Sequence, residues 1–328
     1  MQEMYLEKTL LPESEGKPDS QKRPRLRRRY RSSPGEITFD VANILCMLLI
    51  CFLFLYPFWY VLAVSLNEGL DARRGPIYWF PRKFTLENYG FVIRNPRIIS
   101  ATVVTVARAV VFPIFSVFIT MLAAYALSKR DIPGRRGILF FYLVPLFIGG
   151  TVVTHYLVIA KVGLLDNFLV YILPASFSFF NMVIMRTFVE QIPDSLEESA
   201  MMDGAGYFTR FVRIVVPLSK PVLAVFLFFG VVYAWLDFRT NLLYVTNRRL
   251  NVLQFVLYEM VIQSQAKDYI MDMSGSQSID QMFKGDVTPK YEVLKMATLV
   301  VVTFPIFFVY PFFQKFFVKG IMVGAIKA

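Results

Sequence analysis

Long uncharged apolar segments, separated by short charged ones, constrain the fold of this chain more than any other feature. A membrane-spanning helix needs about 20 mainly apolar residues. The segments that reach this length are residues 39–65, 101–127, 138–160, 168–189, 218–236 and 296–318. Hydrophobic residues make up 56% of the chain and charged residues only 18%, unlike a soluble globular domain. The sequence therefore predicts an all-α integral membrane protein with six transmembrane helices.

The distribution of basic residues predicts how these helices are oriented. Seven lysines and arginines lie between positions 22 and 31, and the connection 128–136 carries four more. Cytoplasmic segments of membrane proteins are enriched in these residues. We therefore expect a multi-pass membrane protein with both termini in the cytoplasm. The connection 67–97 also carries six basic residues on the expected external side, but the first basic tail is expected to dominate.

This topology divides the chain into three parts. Residues 1–38 form a basic cytoplasmic tail, 39–318 a six-span transmembrane domain, and 319–328 a short cytoplasmic C-terminal tail. The domain contains a cytoplasmic connection at 194–217 and a long external one at 237–295. Within the latter, residues 250–262 have helical apolar spacing but are too short to span a membrane. We expect an external helix there, lying on the bundle or at the interface.

The connection after the fourth apolar segment carries helix signals of its own. Ser195 and Glu198 match a capping box, and Asp194 with Glu197 offers the same geometry one residue earlier. Gly204 and Gly206 are expected to end this helix in a left-handed turn. A second short helix should follow, and Pro217 and Pro221 should start the next span. The apolar face expected for that second helix consists of Phe208, Phe211, Val212 and Val215.

Such a helix–turn–helix suits a groove in a partner protein, although it could also pack on its own bundle. At these residues the chain resembles a known family. Glu198-Ser199-Ala200, followed by Gly204, Ile214, Val216 and Pro217, resembles the EAA loop of ABC-importer permeases. Ser199 and Val216 depart from the commoner alanine and leucine. The resemblance implies a permease (MetI-like) bundle whose cytoplasmic coupling helices dock into an ATPase. The implied coupling residues are Glu198, Ser199, Ala200, Asp203, Gly204, Ile214 and Pro217.

Other segments are similar to the carbohydrate-type permeases of this family. They are FPRKFTLENY at 80–89, AAYALS at 123–128 and GLLDN at 163–167. The chain end, YPFFQK at 310–315 and VKGIMVGA at 318–325, resembles the oligosaccharide and polysaccharide branch. The resemblance implies import of an oligosaccharide. The implied partners are a second permease in a heterodimer, two cytoplasmic ATPase subunits and an external solute-binding protein.

The chain contains no GxxxxGK[ST] phosphate-binding loop, so hydrolysis of ATP by that route is excluded. We expect a transporter subunit without enzymatic activity, cofactor or metal, whose partner ATPase binds ATP and magnesium. Two alternatives stay open: a permease for another solute, such as a peptide, amino acid or polyamine, and a membrane enzyme or scaffold without a transport role. The second alternative lacks any convergent catalytic set.

Several polar and aromatic residues near helix ends are candidates for a sugar pathway. Aromatic rings stack on sugar rings, and amides and carboxylates bind hydroxyl groups. The candidates are Asn181, Tyr233, Trp235, Asp237 and Asn241. An interfacial aromatic belt with ordinary polar helix ends explains the same residues. Arg108, within the second segment, could mark a pathway, reach the interface or pair with another helix. His155 is the single histidine, and no chemical role follows from its neighbours.

Overall fold

The computed structural model describes residues 34–72, 74–273 and 288–325, with the backbone alone at 70, 264–273, 288–291 and 315–325. Within these residues the regular elements are helical, apart from an isolated bridge between Asn67 and Phe84. The chain divides into two compact units, before and after Leu55. Most of the basic tail, residues 1–33, lies outside the described part.

The helices follow the apolar segments closely at both ends of the chain. Helix α1 covers Pro34–Ser65, so the last residues of the predicted tail are helical. Helices α2 (Gly69–Ala72), α3 (Glu87–Arg94) and α4 (Pro96–Ser128) follow. The last helix, α14, covers Thr288–Ala325 and continues past the predicted start of the C-terminal tail. Residues 326–328 of that tail lie outside the described part.

Two predicted spans are not continuous helices, and those predictions are wrong in detail. Segment 138–160 is divided into α5 (Arg135–Ile148) and α6 (Val152–Lys161). Gly149 separates them because its φ of 63° is left-handed. Segment 168–189 contains a short 3-10 helix, Phe168–Tyr171, and then α7 (Phe179–Val189).

The middle of the chain forms short helices before the fifth predicted span. Helices α8 (Asp194–Met202) and α9 (Tyr207–Arg210) are followed by a π-helical turn, Phe211–Val215, and α10 (Val216–Leu218). Helix α11 (Lys220–Leu236) then begins after a bend of 81°. Pro217 therefore lies before the bend and does not start the span as predicted.

Among the described residues, three helical stretches are long and apolar enough to cross a membrane, or four if the bent pair counts as one span. The three are Pro34–Ser65, Pro96–Ser128 and Glu292–Gln314. The number of six spans thus stays a prediction. After α11 come α12 (Arg239–Tyr244), a turn at Arg248–Leu250 and α13 (Leu253–Met273). Helix α13 confirms the helix predicted at 250–262.

Helix α4 is the central element of the larger unit. It packs against α11, α7 and α13, while α14 packs against α11, α13 and α3. Two apolar cores follow along α4. The first combines α4 residues from Ile98 to Phe112 with α11, α13 and α14, and the second combines Val117 to Leu127 with α7 and the π-helical turn. We call the part of the unit around the first core the α12 end and the part around the second the α8 end.

Candidate functional site

Helix α8 begins at Asp194, directly after Pro193, and neither predicted capping box forms. Pro193 occupies the N-cap position with a φ of −58° and makes no side-chain cap bond. The fixed φ of proline starts the helix one residue early and places Asp194 and Ser195 inside its first turn. The acidic Asp194 and Glu197 of that turn still face the positive end of the helix dipole.

The glycine turn predicted after α8 is present at Gly204. Gly204 has a φ of 80°, its N–H bonds to the Met201 carbonyl at 3.0 Å, and the Ala205 N–H bonds to the Ala200 carbonyl at 2.9 Å. These two bonds are those of a Schellman motif, which requires a left-handed residue. Gly206 has an ordinary φ of −69° and precedes α9, so its predicted left-handed role is wrong.

The predicted coupling residues lie on or near the surface. Glu198, Ser199, Asp203, Gly204 and Pro217 are exposed, and Ala200 and Ile214 are partly buried. The Ser199 hydroxyl donates to the Ser195 carbonyl at 2.8 Å, so its proton is used within the helix. Helix α8 therefore offers an accessible face of small and acidic residues that ends in a tight turn.

Beneath this face, Glu197 is 8% exposed and connects α8 to the rest of the unit. Its carboxylate accepts hydrogen bonds from the Tyr125 hydroxyl at 2.9 Å and the Lys129 ammonium at 2.6 Å. The Arg210 guanidinium lies 3.8 Å from the same oxygen. Sequence reasoning missed this role and singled out Glu198. No local pattern reveals it, because Lys129 and Tyr125 lie 68 and 72 residues away.

The second short helix presents only half of its predicted apolar face to the core. Phe211 and Val215 are fully buried, whereas Phe208 and Val212 are exposed. The π-helical turn covers Phe211–Val215, so these side chains do not follow the 3.6-residue spacing of the predicted face, whereas Phe208 lies before the turn in α9. The Phe211 ring lies 5.4 Å from the Tyr125 ring, a second contact between this loop and α4.

Between the two cores lies a cavity of about 250 Å³. Two predicted pathway residues, Asn181 and Tyr233, line it. The other lining residues are hydroxyl-bearing, aromatic or apolar: Phe112, Pro113, Ser116, Val117, Thr120, Ala175, Ser178, Met185, Phe226, Phe229 and Gly230. No charged side chain is among these described residues. The lining suits a neutral, hydroxyl-rich ligand more than an ion, since hydroxyls and amides bind hydroxyls and aromatic faces cover sugar rings.

Gly230 is a cavity residue that sequence reasoning missed. A Cβ atom at this position would lie 2.7 Å from the Cβ of Pro113, so helices α11 and α4 approach too closely there for any side chain. A lone glycine within an apolar helix was the available signal, since such a glycine often marks close backbone packing.

The other predicted pathway residues lie elsewhere. Trp235 is buried in the first core, where its indole N–H donates to the Val302 carbonyl at 3.0 Å. Asn241 is fully buried and closes the loop between α12 and α13. Its side-chain amide donates to Asn251 at 3.2 Å, and its side-chain oxygen accepts from the Val252 N–H at 2.7 Å. These contacts are structural.

Asp237, the remaining candidate, pairs with Arg108. The two side chains form an ion pair, and Arg108 also donates to the Asp237 carbonyl at 3.0 Å. The Arg108 guanidinium carbon lies 4.7 Å from the centre of the Tyr171 ring, within the range of a cation–π contact. Burial alone would raise the pKa of Asp237, but hydrogen bonds from Arg108 and Thr240 outweigh it and hold the pKa below its usual value. Arg108 therefore pairs with another helix end.

His155 lies exposed in the first turn of α6. Its Nδ1 atom lies 3.1 Å from the Thr151 carbonyl, one turn earlier in the same helix. The ring also fills the space beside Gly150, where an added Cβ would meet it at 2.3 Å. The contacts of His155 are local ones at the break between α5 and α6.

A helical bundle with membrane-length apolar helices, an internal uncharged cavity and an exposed helical loop defines a membrane transport subunit. Residues 116–323 match the family described as "Binding-protein-dependent transport system inner membrane component". The chain belongs to this family. It is a permease subunit of an ABC importer and not an enzyme.

Individual relatives are similar over nearly their whole length. Protein LplC of Bacillus subtilis (strain 168) is 35% identical, over 91% of this chain and 97% of that protein. The polygalacturonan/rhamnogalacturonan transport system permease protein YtcP of the same organism is 34% identical, over 88% of this chain and 98% of that protein. A crystal structure of a bacterial ABC transporter involved in import of the acidic polysaccharide alginate has the same fold. Its TM-score is 0.75, and it covers 87% of this chain and 98% of the matched one at 24% identity.

Proposed function

We propose that this chain forms half of the translocation pathway of an oligosaccharide importer and receives the force of ATP hydrolysis through α8. One observation carries the coupling role. Helix α8 is exposed on one side, closed by the left-handed turn at Gly204, and fixed to the bundle on its other side by Glu197. A helix with one face accessible to a partner and the other bound to the bundle can transmit a displacement from that partner to the bundle.

Glu198, Ser199, Ala200, Asp203 and Gly204 form the contact with a cytoplasmic ATPase in this proposal, with Ile214 and Pro217 in the following helix. The small side chains at 199 and 200 permit close approach. The acidic residues at 198 and 203 are exposed and suit basic groups of a partner. The ATPase subunits bind the ATP and magnesium.

The cavity between the two cores is the proposed pathway for the saccharide. Its aromatic rings and its hydroxyl and amide groups, including Asn181 and Tyr233, match the two faces of a sugar. The relative YtcP is a permease for polygalacturonan/rhamnogalacturonan, and the structure of similar fold belongs to an alginate importer. Both names favour a saccharide as the cargo of this chain.

The complete importer would contain a second permease subunit, two ATPase subunits and an external solute-binding protein. This arrangement places the α8 end, with both termini, in the cytoplasm and the α12 end outside. Single cysteines at Met202 and Arg248, in a background without Cys46 and Cys51, test it in intact cells. A membrane-impermeant thiol reagent should label position 248 and spare 202, and the reverse pattern contradicts the orientation.

Gly204→Asp tests the coupling role. An aspartate there strains the left-handed turn by roughly 1 kcal/mol and adds charge and bulk to the docking face. We expect normal membrane insertion, loss of the ATPase from the purified complex and loss of saccharide uptake.

Gly134→Asp is the matched control. Gly134 has a similar φ of 75°, is exposed at the α8 end and has open space around its Cα, but it lies outside α8. The control should keep uptake. If both variants lose uptake, backbone strain rather than docking explains the result; if Gly204→Asp transports normally, the coupling role is wrong.

Substrate class is tested on the solute-binding protein that co-purifies with this subunit. Galacturonate oligosaccharides, neutral oligosaccharides, a peptide, an amino acid and a polyamine should be titrated into it by calorimetry. We expect binding of an oligosaccharide and none of the other three classes. Binding of a peptide, amino acid or polyamine instead would overturn the saccharide proposal while leaving the coupling proposal intact.

A further inference from the structure

Two adjacent glutamates of α8 have opposite environments. Glu198 is exposed, whereas Glu197 is buried. One of the two carboxylate oxygens of Glu197, Oε2, faces Tyr125, Lys129 and Arg210. These partners lie on three separate segments: the last turn of α4, the residue after α4, and α9. These contacts form a polar cluster between the buried side of α8 and the end of α4.

The charges at this point are unequal. One carboxylate faces the two cations of Lys129 and Arg210, and the Arg210 Nε atom is buried without a hydrogen-bond partner. The Arg210 guanidinium also lies 4.3 Å from the centre of the Tyr207 ring, and the Lys129 ammonium lies 4.8 Å from that of Tyr125. Without Glu197, two neighbouring cations would repel each other across the gap between α8 and α4, since buried charges require a counter-ion.

Helix α4 connects this point to the cavity. It is a single helix of 33 residues, about 50 Å long at 1.5 Å per residue. Its middle residues, among them Pro113, Ser116 and Thr120, line the cavity. A displacement of α8 that is passed to the last turn of α4 therefore reaches the cavity wall at Thr120 and Ser116 through the helical stretch that follows Pro113, the proline within α4.

We infer that Glu197 is a positioning residue for transport: it holds α8 and the end of α4 together, so that α8 and the cavity wall move as one body. The inference rests on the proposed coupling role of α8 and adds the residue that transmits the motion. Glu198 and its neighbours contact the partner, and Glu197 conveys the movement inward.

The test uses the complete importer, purified with its ATPase subunits and binding protein and reconstituted in liposomes. Glu197→Gln keeps the size of the side chain and removes its charge, and Glu198→Gln makes the same change at the exposed neighbour. For Glu197→Gln we expect an assembled complex that hydrolyses ATP but consumes about tenfold more ATP per saccharide imported, within the 5- to 150-fold range of typical coupling energies. For Glu198→Gln, in the proposed docking face, we expect weaker ATPase binding, and Glu190→Gln, outside α8, is the control that should keep the parent ratio.

A crosslink distinguishes positioning from a merely structural role. Glu197→Cys and Lys129→Cys are combined in a background without Cys46 and Cys51, and the two thiols are joined by a short bifunctional thiol reagent. If α8 and α4 move as one body, the crosslinked pair should restore the parent ratio of ATP to saccharide, whereas the unlinked pair stays uncoupled. A crosslink that stops transport shows that the two helices must separate, and it overturns the inference.

The outcomes separate this inference from the proposed function. Parent importer that transports saccharide, together with a Glu197→Gln ratio equal to that of the parent, refutes the inference alone. Parent importer that transports no saccharide refutes the proposed cargo. In that case the stimulation of ATP hydrolysis by the binding protein still tests Glu197: we expect the Glu197→Gln variant to lose at least about four-fifths of it, the lower bound of such coupling. Undiminished stimulation would overturn the inference.

Discussion

Two ion pairs hold helix α4, one at Arg108 within the helix and one at Lys129 directly after its last residue, and the two pairs differ in their surroundings. At the α12 end, Arg108 is 1% exposed and has one carboxylate partner, Asp237, with the Tyr171 ring on its other side. At the α8 end, one carboxylate, Glu197, is shared by Lys129 and Arg210, and Lys129 remains partly exposed. At the α12 end, the cation is shielded from water and has one carboxylate partner. At the α8 end, the carboxylate borders the exposed loop and has two cationic partners.

The difference separates an ion pair that depends on one partner from one that has a second partner in reserve. A charge that is removed from water and has one partner contributes little net stability, but losing that partner is costly. Arg108 and Asp237 therefore fix α4 against the end of α11 in one arrangement. Glu197 borders the exposed loop and has two cationic partners, so the loss of one cation still leaves its carboxylate with the other.

Replacing Arg108 should produce the largest effect. Arg108→Met leaves Asp237 with hydrogen bonds from Thr240 and the Arg239 N–H but without its guanidinium partner. We expect the free energy of unfolding to fall by about 3–5 kcal/mol, measured by titration with sodium dodecyl sulfate in mixed micelles. The double variant Arg108→Met with Asp237→Asn should recover most of this loss. If Arg108→Met alone were as stable as the parent, the proposed difference between the Arg108–Asp237 pair and the Glu197 cluster would be wrong.

Replacing Lys129 should have a smaller effect, because the second cation remains. In Lys129→Met, Glu197 keeps the Tyr125 hydroxyl and Arg210. We expect a loss of about 1.5 kcal/mol, that of one hydrogen bond to a charged group, in the same titration. Adding Arg210→Met should cost more than the sum of the two single changes. A loss as large as that of Arg108→Met would show that the ion pair at the α8 end also depends on one partner.

The smallest effect is expected at the ion pair of Arg186 and Glu190, which also lies at the α8 end. Arg186 contacts Glu190 at 3.0 Å one helical turn away, and Glu190 is partly exposed and also pairs with Arg135 at 2.7 Å. Arg186→Gln should change the free energy of unfolding by about 0.5 kcal/mol or less, as exposed pairs do. This variant gives the baseline for Arg108→Met and Lys129→Met. A larger loss of unfolding free energy would mean that the exposure of an ion pair does not predict its contribution to stability.

Local patterns in the sequence predicted the long helices and the docking loop. The apolar segments 39–65, 101–127 and 296–318 correspond to α1, α4 and α14, and Gly204 takes the predicted left-handed conformation. Each of these predictions depends on residues within a few positions of one another. The break in 138–160 was also local, at Gly149 and Gly150, but the high hydropathy of that segment hid it.

The candidate sites were predicted less well, because neighbours distant in the sequence decide what a polar side chain does. Asn181 and Tyr233 line the same cavity, and their place in a pathway stays a prediction, whereas Asn241 has its bonding groups occupied by Asn251 and Val252. All three have the same sequence signature, a polar or aromatic group at a helix end. Only the tertiary packing decides that the Asn181 amide lies at a cavity while the Asn241 amide has its hydrogen bonds satisfied within the protein.

The sequence by itself determined that this chain is a helical membrane protein with an exposed helical loop ended by a glycine turn. Transfer of apolar side chains from water and the conformational freedom of glycine are properties of local sequence. The tertiary structure alone decided which of two adjacent glutamates is buried, and that Arg108 binds Asp237 at a separation of 129 residues. An ion pair needs two side chains within a few ångströms, and that distance is set only when α4, α8 and α11 have packed together.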